Sequence, residues 1–134
     1  MNPKKLFPLV VTDRLAETKA FYVDKAGFKI QHDMDGYLQV IYGDADGPEL
    51  AFAASESEVL GKMPRFGGEG IIVSIPTPDA DRKAREMESR GVKLMGEPVT
   101  RPWGWRSFMT TDPNGVILDF FHVPADNAGA NATG

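Results

Sequence analysis

Apolar positions in this chain come in short runs, each closed by glycine, proline or a charged pair. Leu6 to Thr12 (LFPLVVT) is a brief apolar run and predicts a buried strand, with Pro8 marking an edge or irregular position. Leu15, Phe21, Tyr22 and Ala26 recur near helical spacing, so residues Leu15 to Ala26 predict a helix, stopped by Gly27. Phe28 to His32 predicts a strand and Asp35-Gly36 a hairpin turn. Tyr37 to Tyr42 and Glu49 to Ala53 follow as strands, separated by Asp46-Gly47. The first half therefore reads β-α-β-β-β.

Residues 55–69 (SESEVLGKMPRFGGE) have no period and are rich in Gly, Ser and charge, so they read as a linker. The second half repeats the plan. Ile71 to Ile75 predicts a strand, and Asp79 to Arg90 a helix opened by Pro78-Asp79 and closed by Gly91. Val92 to Met95, Trp105 to Thr111 and Val116 to Val123 predict strands, the last two joined by the turn Asp112-Pro113-Asn114-Gly115. An offset of 64 aligns Ala16 with Ala80, Lys19 with Lys83, Ala20 with Ala84 and Gly27 with Gly91. An offset of 68 aligns Gly47 with Gly115, Leu50 with Leu118 and Phe52 with Phe120. With the matching element order, these identities indicate an internal duplication. The expected fold is α+β, with two tandem βαβββ modules forming curved mixed sheets and helices on the convex face. Module one covers 5–54 and module two 70–123 of a single domain, 1–123. The small, polar segment 124–134 (PADNAGANATG) is expected to be disordered.

Strand alternation assigns the faces. Leu50 and Phe52, with Leu118 and Phe120, belong under the helices. Glu49, Ala51 and Ala53 lie on the opposite face, as do Ile117, Asp119 and Phe121. Small and mixed residues there suit a concave surface with room for a ligand.

Composition then narrows the function classes. In 134 residues, 15 Lys and Arg stand against 19 Asp and Glu, a net charge of −4, which argues against a nucleic-acid partner. The chain has no cysteine, which removes disulfides, thiolate metal sites and Cys nucleophiles and fits a cytoplasmic location. The apolar stretch near the N-terminus stops at Thr12-Asp13, too short for a signal peptide or membrane span. No Ser-His-Asp order, phosphate-binding loop or dinucleotide glycine fingerprint is present.

Thr12-Asp13, Phe21-Tyr22 and Gly27-Phe28 in the first half, and Pro102-Trp103-Gly104-Trp105-Arg106 followed by Asp112-Pro113-Asn114-Gly115 in the second, carry a family resemblance. The chain resembles the vicinal oxygen chelate superfamily, the glyoxalase/bleomycin resistance/dioxygenase group, over nearly all of residues 5–123. The resemblance implies two βαβββ modules, a cleft on the concave sheet faces and a homodimer. It also implies four metal-ligand positions in the metal-dependent members, which fall here on Leu6, Ala51, Gly70 and Asp119. Only Asp119 can ligate, and shifting by a residue or two recovers Glu49 or Glu69 but no histidine. The departure directs the comparison to the bleomycin-resistance-like branch. The expectation is a metal-free protein without cofactor that sequesters an aromatic or heteroaromatic small molecule. The alternative is a glyoxalase-like lyase, isomerase or dioxygenase with an atypical or absent metal site.

The candidate ligand-binding residues are Trp103, Arg106, Phe108, Asp119, Phe121, Glu49, Gln39 and Tyr37. Trp103 reads as an aromatic wall and Trp105 as packing. Arg106 could clamp a ligand carboxylate or form an ordinary surface pair. Asp119 could act as a base, face a cationic ligand, or pair with Arg106. Tyr37, Gln39 and Ile41 line the cleft in one register of their strand, and Leu38, Val40 and Tyr42 in the other.

Overall fold

The computed structural model describes residues 5–57 and 61–125. Residues 58–60 of the predicted linker and 126–134 of the predicted tail lie outside the described residues. The described residues fall into two compact units. The first ends at Glu69 and includes Asp112–Gly115, and the second runs from Gly70 to Thr111 and resumes at Val116.

In the first unit, β1 (Leu9–Thr12) starts three residues later than the apolar run, because Pro8 has no N–H for a ladder and Leu6 is almost fully exposed. Helix α1 (Leu15–Lys19) continues directly as a π-helical segment, Ala20–Lys25, where a single regular helix was expected. The π segment closes with Ala26 N–H donating to the Phe21 carbonyl at 2.9 Å. Its wider turn brings the adjacent Phe21 and Tyr22 both into the core. Strands β2 (Lys29–Met34), β3 (Tyr37–Ile41) and β4 (Glu49–Ala54) complete a sheet of order β1-β4-β3-β2. β1 pairs parallel with β4, and the other neighbours are antiparallel. Within the predicted linker, β5 (Glu56–Ser57) and β6 (Gly61–Lys62) form a short antiparallel hairpin.

The second unit has the same plan: β7 (Ile72–Pro76), α2 (Ala80–Ser89), β8 (Val99–Thr100), β9 (Arg106–Thr111) and β10 (Ile117–His122), in the order β7-β10-β9-β8. Its parallel pair, β7 with β10, is again the first strand against the last. Phe52 stands opposite Val10 in one sheet and Phe120 opposite Ile75 in the other, so the aligned phenylalanines hold equivalent places. The strand expected at Val92–Met95 is reduced to one bridge, Leu94 to Thr110, and the paired edge strand lies instead at Val99–Thr100. Pro98, just before it, cannot donate to a ladder.

The helix-facing sides hold most of the core, and Ile41, Ala51 and Ala53 on the opposite face of the first sheet are buried as well. Tyr22 packs on Phe28 and Phe52, with ring centroids 5.1 and 4.9 Å apart, above Leu38, Val40 and Leu50. In the second unit Phe108 and Phe120 stack at 5.5 Å, and Ala80, Ala84 and Met87 of α2 are fully buried. Each such large apolar side chain contributes about 1.5–3 kcal/mol by leaving water. Among the described residues, no helix is long and apolar enough to cross a membrane.

Candidate functional site

The sheet face turned away from the helix carries the polar chemistry in each unit. In the first, β3–β4 pairing sets Tyr37 opposite Ala53, Gln39 opposite Ala51 and Ile41 opposite Glu49. Tyr37, Gln39 and Glu49 thus share the face of Ala51 and Ala53, while Leu38 and Val40 are core. The Tyr37 hydroxyl donates to Gln39 Oε1 at 2.7 Å, and Gln39 Nε2 donates to Glu49 Oε1 at 2.6 Å. Lys5 Nζ meets the other carboxylate oxygen at 2.9 Å. The hydrogen bond from Lys5 holds the Glu49 carboxyl below its usual range, helped by Gln39. Burial, then the Glu49 charge, pushes the Tyr37 hydroxyl up. Glu49 is therefore an ionised, fully engaged carboxylate with the chemistry of an anchor, and Tyr37 stays a donor. Neither Lys5 nor this chain of bonds was anticipated from sequence, because Lys5 precedes the first strand. His32 sits opposite Gln39 on β2, exposed, in mid-strand where a strand-end place was expected.

In the second unit, the face away from α2 carries Asp119 and Phe121 of β10, with Ser74 of β7 opposite Asp119. The Ser74 hydroxyl donates to Asp119 Oδ2 at 2.9 Å. Asp119 Oδ1 is shielded from solvent and has no hydrogen-bond partner among the described residues. Trp105 stacks on Phe121, centroids 4.6 Å apart and planes 10° off parallel. Its indole N–H is likewise shielded and unpartnered. Trp103, expected as the aromatic wall, is 59% exposed on the turn before β9, and Trp105 lies against the sheet instead.

Two predicted residues stand on the other side. Phe108 lies opposite Phe120 and is core; Arg106 lies opposite His122 and reaches Asp81 of α2 with Nη2 at 3.0 Å. Hydrogen bonds with Asp81 raise the Arg106 guanidinium and lower the carboxyl of its partner. Strand limits at Thr111 and Val116 place Phe108 opposite Asp119. The observed pairing begins at Thr111 with Ile117, so the loop holds one residue more and the faces of β9 swap. His122 also faces α2, where Nδ1 accepts from the Ala80 N–H at 2.8 Å.

The metal positions implied by resemblance can be tested on their donors. Leu6, Ala51 and Gly70 offer no side-chain ligand, and among the described residues the carboxylate of Asp119 has only the Ser74 hydroxyl on it. Among the described residues, no three His, Asp or Glu side chains converge. A divalent ion needs several such ligands at one point, so this donor set does not fit one.

Two βαβββ modules, each an open mixed sheet with its helix on one face and polar chemistry on the other, define the class of protein. The Glyoxalase/Bleomycin resistance protein/Dioxygenase superfamily profile matches residues 7–120, and the chain belongs to that superfamily. Solved structures agree on the fold. A glyoxalase/bleomycin resistance protein/dioxygenase from Nocardioides superposes with a TM-score of 0.71 at 20% identity, covering 93% of this chain and 86% of its own. A glyoxalase/bleomycin resistance protein from Streptomyces sp. CB03234 gives 0.65 at 27% identity, covering 85% and 96%. The bleomycin resistance determinant encoded on transposon Tn5 gives 0.68 at 19% identity, covering 90% and 98%. Among curated proteins none matches.

Proposed function

We propose that this protein is a metal-free small-molecule binder that holds an aromatic or heteroaromatic ligand on the sheet faces away from the helices. The observation that carries the reading is the pair of unpartnered polar atoms on one such face, Trp105 Nε1 and Asp119 Oδ1, beside the Trp105–Phe121 stack. A buried polar group left unpaired costs about 1–3 kcal/mol, so one free donor and one free acceptor on the same face favour a ligand with a complementary polar edge. Both atoms are closed to solvent in the free chain, so the ligand would have to shift the Trp105 ring to give a hydrogen to Asp119, accept one from Trp105 and place its own ring against the aromatic pair. The negative carboxylate favours a cationic or N–H-rich heterocycle. Phe121, Asp119 and Trp105 would bind it, and Tyr37, Gln39 and Glu49 would line the corresponding face of the first module. Homodimerisation is part of the same proposal and is read by light scattering after gel filtration.

The test is a tryptophan-fluorescence and thermal-shift titration with bleomycin, which the Tn5 relative's name supplies, and with the planar cation proflavine. A ligand that binds only the folded chain raises the melting temperature. Saturable quenching with a raised melting temperature is expected. Asp119→Asn and Trp105→Phe should each weaken it by about tenfold, the equivalent of one good hydrogen bond to a charged group. Titrations in which neither compound quenches or stabilises would refute the reading.

A further inference from the structure

A second site lies at the far end of β1, within the first unit. A cavity of about 450 Å³ is lined by Thr12, Asp13, Arg14, Arg65, the Phe66-Gly67-Gly68 stretch and the Pro113-Asn114-Gly115 turn. Its walls are tied together. Phe66 N–H donates to the Val11 carbonyl at 2.8 Å, which lays the 65–68 stretch along β1. The Thr12 hydroxyl donates to Asn114 Oδ1, and Asn114 Nδ2 donates to Thr18 Oγ1 at 3.0 Å. Gly115 has φ +92°, and a Cβ there would sit 2.5 Å from the Gly68 carbonyl oxygen, so turn and stretch meet backbone to backbone.

Charge on this cavity is positive. Arg14 gives one N–H to the Pro113 carbonyl at 3.2 Å, and Arg65 gives one to Asp13 at 2.9 Å. A guanidinium carries five N–H donors, so both keep most of theirs. The one carboxylate present, Asp13, already accepts from the Ser55 hydroxyl as well as from Arg65. Two guanidiniums against one engaged carboxylate, on polar walls of fixed shape, suit an oxyanion, which forms charge-assisted and bidentate bonds with arginine.

We propose that this cavity binds a small organic anion through a phosphate or carboxylate group held by Arg14 and Arg65. It is separate from the Trp105–Asp119 face and stands whether or not that face binds an aromatic ligand. The experiment follows amide shifts of Gly67, Gly68 and Gly115 by NMR while phenyl phosphate, benzoate or uncharged phenol is titrated into the full chain. Phenyl phosphate, benzoate or both should move these glycines saturably, and which of them does so identifies the anion; phenol should not. Arg14→Gln, which removes only the bond to the Pro113 carbonyl, should weaken binding by at least about tenfold, as expected for loss of a charge-assisted contact. Arg65→Gln should do the same, and Asp119→Asn should leave binding unchanged. Absence of shifts with both anions, equal shifts with phenol, or unchanged binding in Arg14→Gln would each overturn the proposal.

Discussion

Tyr22 shows how much one hydroxyl can carry. Its ring is fully buried, and its O–H donates to Asp112 Oδ2 at 2.7 Å within the first unit. Burial first, then the Asp112 charge, pushes the hydroxyl well above its usual range, so it remains a donor throughout the working pH range. Tyr22→Phe keeps the packing and strips a charge-assisted bond from a buried carboxylate. It should cost about 1–3 kcal/mol in urea unfolding at neutral pH. Lys83 is the opposite case. It is 6% exposed, lies 5.4 Å from the centre of the Phe120 ring, and is lowered by burial from 10.5 to about 8. Below pH 8 folded and unfolded chains both hold the proton, and in the folded chain burial costs the charge more than the nearby Glu86 carboxylate offsets. Between about 8 and 10.5 the unfolded chain keeps a proton that the folded chain sheds, so stability rises with pH. Lys83→Met should therefore stabilise the protein by about 1–3 kcal/mol at pH 7. That gain should shrink as the pH passes from 8 to 10.5, as read from melts across that range.

At the scale of elements, signals carried by one residue type at one place were legible. Pro78-Asp79 announced the start of α2, and Asp79 Oδ1 does accept from the Arg82 N–H at 3.1 Å as its N-cap. Asp79→Ala should cost about 0.5–2 kcal/mol of thermal stability, whereas Asp79→Ser should restore most of it. Features set by neighbours were not legible. The π segment has no composition of its own, since Ala20–Lys25 would also suit an α-helix, and it forms because Phe21 and Tyr22 both gain burial. Period-two alternation grouped Glu49 with Ala51 and Asp119 with Phe121, because both pairs sit within one strand. Relating β9 to β10 required the loop length to the residue. One extra residue at Val116 put Phe108 and Arg106 on the helix side, away from Asp119. The Lys5–Glu49 pair and the free indole N–H of Trp105 depend on three-dimensional surroundings that no local pattern encodes.

At the scale of the molecule, duplication gives two copies of one architecture, with the same strand order and the same parallel first-to-last pairing. Their polar faces have diverged. One holds a satisfied hydrogen-bond chain that ends in an ion pair, and the other holds two atoms awaiting partners. Among the described residues the unpartnered side-chain atoms lie on the second face, which is where the proposed ligand would bind. Fold alone does not separate a binder from a metal-dependent enzyme, so the donor set around Asp119 is the feature to test. An ion held by Asp119 and one serine hydroxyl lacks the ligand count for tight binding. Mn²⁺, Ni²⁺ or Zn²⁺ added to chelator-treated protein should thus leave the melting temperature unchanged, since an ion without affinity for the folded state adds no stability. A rise that saturates at one ion per chain and disappears in Asp119→Asn would instead assign Asp119 to a metal and put the alternative lyase, isomerase or dioxygenase reading first. With no such rise, the unpartnered oxygen of Asp119 stays available to the organic ligand proposed above, whose ring the Trp105–Phe121 pair would meet.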